Sequence, residues 1–273
     1  MKALFEHAGA AARVLILGLG LAGAVALAGA PARAQTESEI APAPLDSAER
    51  AAIEQVIRDY LAAHPEVVAE ALSALRAREE EARAARQRTA VRGHARALAD
   101  PGPLPVLGNP DGDVTVVEFF DYRCSYCRSV AEPLREVVAE DGNVRLVMKE
   151  FPILGEESVF AARAALAAAE QGAYAAFHEA LMTELETVTP EAVLALAERL
   201  DLDRAKLEAD MRAETVRETI QGSYRLAQAL GIGGTPAFVV GETLVPGAVD
   251  AARLQELIAE ARAQQRAGAA GDG

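Results

Sequence analysis

Two short apolar segments flank one amphipathic helix in the middle of the chain, and this pattern constrains the fold more than any other feature. The first segment, Val114–Phe120, is a nearly continuous run of β-forming residues, as a strand buried on both faces requires. The pattern then predicts a helix over Cys124–Glu140 and a second strand over Val144–Met148. Strand, helix and strand in this order indicate a right-handed parallel crossover.

The remainder of the C-terminal half is mainly helical in pattern. Residues 156–230 carry Ala-rich apolar stripes with helical spacing. Two short strands are predicted at Ala237–Val240 and Thr243–Val245, joined by a two-residue hairpin turn. A closing helix is expected over Asp250–Gln264, followed by a Gly- and Ala-rich flexible tail over residues 266–273.

The first 34 residues have the pattern of a secretory signal peptide. A basic segment precedes an uncharged 17-residue run, Val14–Ala30, and the small residues Ala32 and Ala34 give the spacing of a cleavage site. The alternative is a retained membrane anchor, although the run lies at the lower edge of the length that spans a bilayer. We expect cleavage and export, which leave a polar, Pro-rich leader over residues 35–46.

Two short amphipathic helices follow the leader, over residues 47–75. Asp46 or Ser47 can cap the first helix, and Pro65 can begin the second. The unit is too short to form a core of its own, so its stripes are expected to meet a second copy or, alternatively, the parent domain. Residues 76–100 continue as a connector rich in Ala, Arg, Glu and Gln, which predicts a solvated helix.

The charge balance argues against nucleic acid as a partner. Lys and Arg number 27 against 41 Asp and Glu, a formal net charge of −14. A surface this negative repels a phosphate backbone. Trp is absent and aromatic residues are 4% of the chain, so base stacking is also disfavoured.

The only two cysteines are Cys124 and Cys127, and three kinds of site could use such a pair. A zinc site needs two further soft or imidazole ligands, and the chain has no other cysteine and only scattered histidines. A structural disulfide across so short a loop stabilises the fold only weakly. A redox-active pair is favoured over both, because exported proteins leave the reducing cytosol. We expect no metal and no cofactor.

The position of the pair at a strand–helix junction fits redox chemistry. Cys124 falls at the helix N-terminus, where free backbone N–H groups and the helix dipole stabilise a thiolate. Arg123 and Arg128 add positive charge nearby. Cys127 lies one turn further and faces inward, so Cys124 is predicted to attack and Cys127 to resolve the mixed disulfide.

The segments Val116–Cys127 and Gly231–Val240, separated by a helical insertion, resemble the DsbA-like thiol–disulfide oxidoreductases. The resemblance implies an α/β thioredoxin fold over residues 101–265, interrupted by an all-helical insertion over about residues 156–230 and preceded by a small helical N-terminal domain. It also implies that Pro236 is a cis-proline beside the disulfide and that Thr235 precedes it. Taken alone, the segment Gly233–Pro236 would predict a plain turn. These two residues would shape a groove for an extended client segment.

The same resemblance suggests that Glu118 relays a proton to or from Cys127, with Lys149 on the neighbouring strand as its partner. The alternative places Glu118 at an exposed strand end. His178 has no pattern of polar partners around it, which favours a structural or surface role over a catalytic one.

The segment Ile57–Val68 is similar to the N-terminal domain of ScsC-like proteins. That resemblance implies a homo-oligomer, with a trimer favoured and a dimer possible, and an isomerase or reductase acting in the periplasm. Its partners would be exported client proteins with cysteines and a membrane redox partner that resets the pair. The alternatives are a disulfide-forming oxidase of the DsbA type and a copper-handling protein in which the two thiolates bind a soft ion.

Overall fold

A computed structural model describes residues 45–271 of the 273-residue chain, without the side chains of 269 and 271. The predicted signal peptide and almost all of the leader lie outside the described residues. Of the described elements, the first helix, α1 (Ser47–Ala63), belongs to one compact unit, and residues 64–271 form another.

Helix α1 is capped by Asp46 in a reciprocal arrangement. Asp46 Oδ1 accepts hydrogen bonds from the backbone N–H groups of Ala48 and Glu49, each at 2.8 Å, while Glu49 Oε2 accepts one from Asp46 N at 3.0 Å. This is a capping box, and it satisfies donors that the first helical turn leaves free. The apolar residues of α1 are exposed, and none of the described residues of this unit is buried.

The second unit is built on a five-stranded mixed sheet. Its strands are β1 (Leu107–Gly108), β2 (Val114–Phe120), β3 (Val144–Glu150), β4 (Ala237–Val240) and β5 (Thr243–Pro246), arranged in the order β1-β3-β2-β4-β5. Strands β2 and β3 are parallel, and the other three pairings are antiparallel. The predicted strands are present, and β1 is an addition that its two-residue length hides from any pattern.

Nine further helices surround the sheet in the described part of this unit. They are α2 (Pro65–Gly93), α3 (Ala95–Ala99), α4 (Ser125–Asp141), α5 (Glu156–Ala169), α6 (Tyr174–Thr183), α7 (Pro190–Arg199), α8 (Arg204–Asp210), α9 (Glu214–Leu230) and α10 (Ala251–Gly271). Helices α5 to α9 form the insertion between β3 and β4, and α4 makes the crossover between β2 and β3. The chain therefore has the predicted thioredoxin fold with an all-helical insertion.

The strand residues of β2 alternate between two cores. Val116 and Phe120 pack with α4, α10 and the insertion helices, whereas Val117 and Phe119 pack on the opposite face with the end of α9. Because β2 is hydrogen-bonded to β3 on one side and to β4 on the other, both of its faces are covered and its sequence is apolar at nearly every position.

The prediction of a solvated connector over residues 76–100 is wrong for its last part. Helix α2 is exposed along most of its length. Near its end, however, Val91 is only 2% exposed, and Leu98 on α3 is only 4% exposed; both are buried in the core on the Phe119 face of the sheet. The side chains of Arg145 and Lys149 also donate hydrogen bonds to backbone carbonyls between Ala97 and Asp100. The composition of the segment predicted its helix but concealed these two isolated apolar anchors.

The closing helix is longer than expected and is fastened to the sheet by an ion-pair cluster. It continues to Gly271, so the prediction that it ends near Gln264 is wrong. Arg262 donates hydrogen bonds to Asp113 before β2 and to Asp141 at the end of α4. The guanidinium holds the pKa values of both carboxyl groups below their usual range. One side chain thereby ties α10 to both ends of the β2–α4 crossover.

Leu98→Ala tests whether the connector is part of the folded domain. We expect the free energy of unfolding to fall by about 2–4 kcal/mol, because truncating a buried leucine removes apolar burial and leaves a cavity. Chemical denaturation measures the change, with Ala82→Gly on the exposed part of α2 as a control that costs at most about 1 kcal/mol. A loss for Leu98→Ala no larger than that of the control contradicts the docking.

Candidate active site

Cys124 is the N-cap residue of α4 and lies at the point where β2 feeds the helix. Its Sγ accepts a hydrogen bond from the backbone N–H of Cys127 at 3.3 Å, one of the donors that the first turn leaves free. Both cysteines are free thiols. The side chain of Cys124 is at the surface only in part, since the residue is 6% exposed, and Cys127 is fully buried. The predicted order of accessibility therefore holds, although Cys124 is more shielded than expected.

Strand pairing brings Thr235 and Pro236 to Cys124. Ala237 at the start of β4 pairs with Phe119 near the end of β2, so the preceding residues reach the beginning of α4. The Thr235–Pro236 peptide bond is cis, and the carbonyl oxygen of Thr235 accepts a hydrogen bond from Cys124 Sγ at 3.3 Å. Residues 111 positions apart thus contact each other directly.

Glu118 is buried beneath the redox pair, which rules out the alternative of an exposed strand end. The residue is 2% exposed, and its Oε1 has no hydrogen-bond partner among the described residues. Burial raises the pKa of Glu118 to about 8. Burial also raises the pKa of the Cys127 thiol, and the nearby Glu118 charge raises it further. The acid is therefore close enough to the resolving thiol for the two groups to influence each other's protonation.

The predicted pairing of Glu118 with Lys149 is wrong. In the parallel register Lys149 lies opposite Phe119, and Glu118 lies opposite Met148. Successive side chains on a strand point to opposite faces, so Lys149 and Glu118 are on different sides of the sheet. Lys149 Nζ donates instead to the carbonyl oxygens of Ala97 and Asp100. Its role in this structure is to fasten the connector.

His178 belongs to a buried polar cluster that the sequence pattern did not reveal. Its Nδ1 is 3.0 Å from the hydroxyl oxygen of Tyr122, and that hydroxyl donates to Oε1 of Glu150 at 2.9 Å. Tyr174 donates to the same oxygen at 3.3 Å. Burial lowers the pKa of His178 to about 4, so the ring is neutral at pH 7. The sequence signal for Glu150 was its even spacing from Leu146 and Met148, which places it on the inward face.

Asp121 is a second residue that the sequence analysis missed. Its Oδ1 accepts hydrogen bonds from Arg123 N and Ser158 Oγ, and its Oδ2 accepts from Ile153 N and Leu154 N, all at 2.8–2.9 Å. Three of these bonds join the segment before Cys124 to the segment after β3, and the fourth, from Arg123 N, closes a local turn. Asp121 therefore fixes the loop from which the redox pair projects.

Neither a metal centre nor a membrane helix is found among the residues that the structure describes. No group of three or more His, Cys, Asp or Glu side chains within 45–271 could hold a metal ion. None of the helices in that range is both long and apolar enough to cross a membrane.

The paired thiols at a helix N-terminus, the cis-proline beside them and the thioredoxin fold form the arrangement that thiol–disulfide exchange requires. A family model described as "DSBA-like thioredoxin domain" matches residues 115–259, and one described as "Copper resistance protein ScsC N-terminal domain" matches residues 49–82. The first match covers more than half of the sequence, so the chain belongs to the DSBA-like thioredoxin domain family.

Solved structures share this architecture. A thioredoxin-like oxidoreductase from Silicibacter pomeroyi is 52% identical, and the match covers 61% of this chain and 96% of that chain with a TM-score of 0.60. ScsC from Proteus mirabilis, in a transitional conformation, is 29% identical over 81% of this chain and 100% of its own, also with a TM-score of 0.60. The second match extends well beyond the thioredoxin domain.

A match to a much longer protein concerns only part of that protein. The Na(+)/H(+) antiporter NhaA 3 of Salinispora tropica is 34% identical over 143 residues, which are 52% of this chain and 22% of the antiporter. The chain spans about a quarter or less of the length of the first curated relatives that it matches.

Glu118→Gln tests the burial and protonation of the acid through stability. The pKa of Glu118 is raised from 4.5 to about 8 by folding, so the folded protein holds this proton more tightly than the unfolded chain. The resulting stabilisation is complete below pH 4.5 and is lost as the pH rises towards 8. The neutral variant lacks that loss. We expect it to gain about 1.4 kcal/mol in unfolding free energy over wild type for each pH unit across this window.

Urea denaturation at several pH values measures this gain. Glu132→Gln, on the exposed side of α4, is the matched control and should show almost no pH-dependent difference from wild type. An equally flat difference for Glu118→Gln would contradict a raised pKa for the buried acid.

Proposed function

We propose that this protein is an exported, periplasmic disulfide isomerase or reductase that acts as an oligomer on cysteine-containing exported proteins. The observation that carries the catalytic part is the contact of Cys124 Sγ with the Cys127 amide and with the carbonyl of Thr235, above the buried Glu118. The similarity of residues 49–82 to an ScsC N-terminal domain and the exposed apolar stripes in this region support the oligomeric part.

The first chemical step is attack by the Cys124 thiolate on a client disulfide. A bond forms between Cys124 and one client sulfur, the client S–S bond breaks, and the second client sulfur leaves as a thiolate. The amide of Cys127 and the free N–H groups of the first turn of α4 stabilise the attacking sulfur. An extended client segment would pair with the backbone beside Pro236, where the Thr235 carbonyl contacts Cys124.

The mixed disulfide has two exits. In isomerisation another client thiolate attacks the client sulfur that is bound to Cys124. A new client disulfide forms and Cys124 leaves as a thiolate, so the oxidation state of the client does not change. In reduction Cys127 gives its proton to the Glu118 carboxylate and attacks Cys124, so the Cys124–Cys127 disulfide forms and a second client thiolate leaves. The client has then gained two electrons, and a membrane redox partner must return two electrons to the pair.

The buried position of Cys127 favours the isomerase interpretation over an oxidase. Burial and the nearby Glu118 raise the pKa of Cys127, so the thiol stays protonated and attacks the mixed disulfide slowly. A long-lived mixed disulfide gives other client thiols time to rearrange. Several active sites on one oligomer would lengthen this contact through avidity.

Two assays separate the candidate activities. We expect the wild-type protein to reactivate scrambled ribonuclease and to accelerate insulin reduction by dithiothreitol. Cys124→Ser should reduce both rates to the uncatalysed level, because it removes the attacking sulfur. Cys127→Ser should retain isomerisation in part and accumulate mixed disulfides with clients. Ser129→Ala, on the exposed face of α4, is the control.

The opposite pattern favours the alternative. If the wild-type protein oxidises reduced ribonuclease rapidly but leaves the scrambled form inactive, the protein is an oxidase of the DsbA type.

The exposed stripe of α1 is the proposed oligomerisation surface. Val56 is 68% exposed, and Ile53, Ile57 and Tyr60 lie on the same helical face. We expect Val56→Glu to convert the oligomer, a trimer or a dimer, to a monomer, because burying an unpaired charge in an apolar interface is strongly unfavourable. Light scattering on the chain without residues 1–34 measures the mass.

Ala62→Glu introduces the same charge on the opposite face of α1 and is the matched control. It should leave the oligomer intact. A wild-type protein that is already monomeric, or two variants of equal mass, would contradict the proposed surface.

A further inference from the structure

Two buried carboxyl oxygens lack a hydrogen-bond partner within the described part of the chain, Oε1 of Glu118 and Oε2 of Glu150. Buried polar atoms are nearly always paired, so an unpaired atom requires an explanation. Both residues are almost fully buried, at 2% and 1% exposed. The two unpaired atoms therefore belong to the same kind of group in the same part of the core.

The register of the sheet places the two acids near each other. Glu118 lies opposite Met148 on β3, and Glu150 lies two positions further along β3, opposite Phe120. Since side chains two apart on a strand share a face, Glu118 and Glu150 face the same core. Tyr174 from α6 interacts electrostatically with both carboxyl groups.

The hydrogen bonds of Glu150 are confined to one of its oxygens. The hydroxyl groups of Tyr122 and Tyr174 both donate to Oε1, at 2.9 and 3.3 Å. Because the Tyr122 hydroxyl donates its one hydrogen to Glu150, its oxygen accepts a hydrogen bond from Nδ1 of His178, 3.0 Å away. This arrangement satisfies an acceptor at Oε1 and leaves Oε2 available for a proton of its own.

No cation neutralises Glu150 among the residues that the structure describes. None of the ion pairs found in residues 45–271 includes Glu118 or Glu150, and His178 is neutral. Burial raises the pKa of Glu150 well above its usual range, and the nearby charge of Asp121 adds to this effect. A buried carboxyl group with a raised pKa favours its neutral form, and the neutral form can serve as a hydrogen-bond donor.

We propose that Glu150 is a positioning residue of the redox site: its Oε2–H donates, through one water molecule, to Oε1 of Glu118 and stabilises the ionised form of that acid. The inference rests on the proposed proton transfer between Cys127 and Glu118 and deepens it.

The titratable groups that face the two acids are Cys127 from α4, Tyr174 and His178 from α6, and Asp121 and Tyr122 from the loop after β2.

The proposed step transfers one proton from Cys127 to Glu118. The Cys127 S–H bond breaks, the proton moves to the Glu118 carboxylate, and Glu150 keeps its own proton throughout. Glu118 then releases the proton to water in a cavity of about 400 Å³ between α4 and α6, which is lined by Glu118 and His178. Glu150 thereby favours the state of Glu118 that accepts the proton without exchanging one itself.

Two substitutions in the full chain separate the donor from the charge of Glu150. Glu150→Gln keeps an acceptor at Oε1 and a donor at Oε2, so we expect the pH midpoint of insulin reduction to stay within about 0.3 unit of wild type. Glu150→Leu removes the donor, and the midpoint should rise by about one pH unit, which is about a tenfold lower rate below the midpoint.

The outcomes are distinguishable. Equal midpoints for wild type and both variants, or the same upward shift in both, would overturn the inference. Glu118→Gln tests the underlying proton transfer: if it keeps the wild-type pH step, the relay itself fails, whatever Glu150 does.

Infrared spectroscopy gives a second measurement that needs only the isosteric variant. At a pH above 9, where Glu118 is ionised, wild type should keep one absorption of a protonated buried carboxyl group that Glu150→Gln lacks. Should the two spectra coincide in this region, Glu150 is ionised and the inference is wrong. This measurement does not depend on the folding of Glu150→Leu.

Discussion

The pairing of β2 with a neighbour on each edge is the interaction on which the rest of the structure depends. Its parallel partner β3 carries Glu150, and its antiparallel partner β4 follows directly after Thr235 and Pro236. The end of β2 leads to Cys124. A shift of one residue in either register would move inward side chains to the opposite face and separate the thiol from its neighbours. The redox site is therefore a product of sheet register.

The buried acids show how function opposes stability in this fold. A carboxyl group in an apolar core favours its neutral form and destabilises the folded protein as the pH rises. Glu118 and Glu150 both lie in such surroundings, and Glu118 is close to the buried Cys127. The apolar residues of β2 on this face of the sheet pack in the core around them.

Local pattern predicted most of the elements because their signals are local. The limits of β2, the helix that begins beside Cys124 and the hairpin at Gly241 follow from periodicity and turn chemistry within a few residues. Val91 and Leu98 were missed since a single apolar residue in a polar helix has no periodicity to reveal what covers it. Glu150 and Asp121 were missed because their partners are distant in sequence.

By itself the sequence determined the two thiols, their spacing and their place at a helix N-terminus, since these depend only on neighbouring residues. Tertiary structure decided which groups surround them. It brought Thr235 to Cys124, placed Lys149 on the far face from Glu118, and joined His178 to Glu150 through Tyr122. The physical reason is that register and face are set by pairing between strands and helices far apart in the chain, and no local preference specifies them.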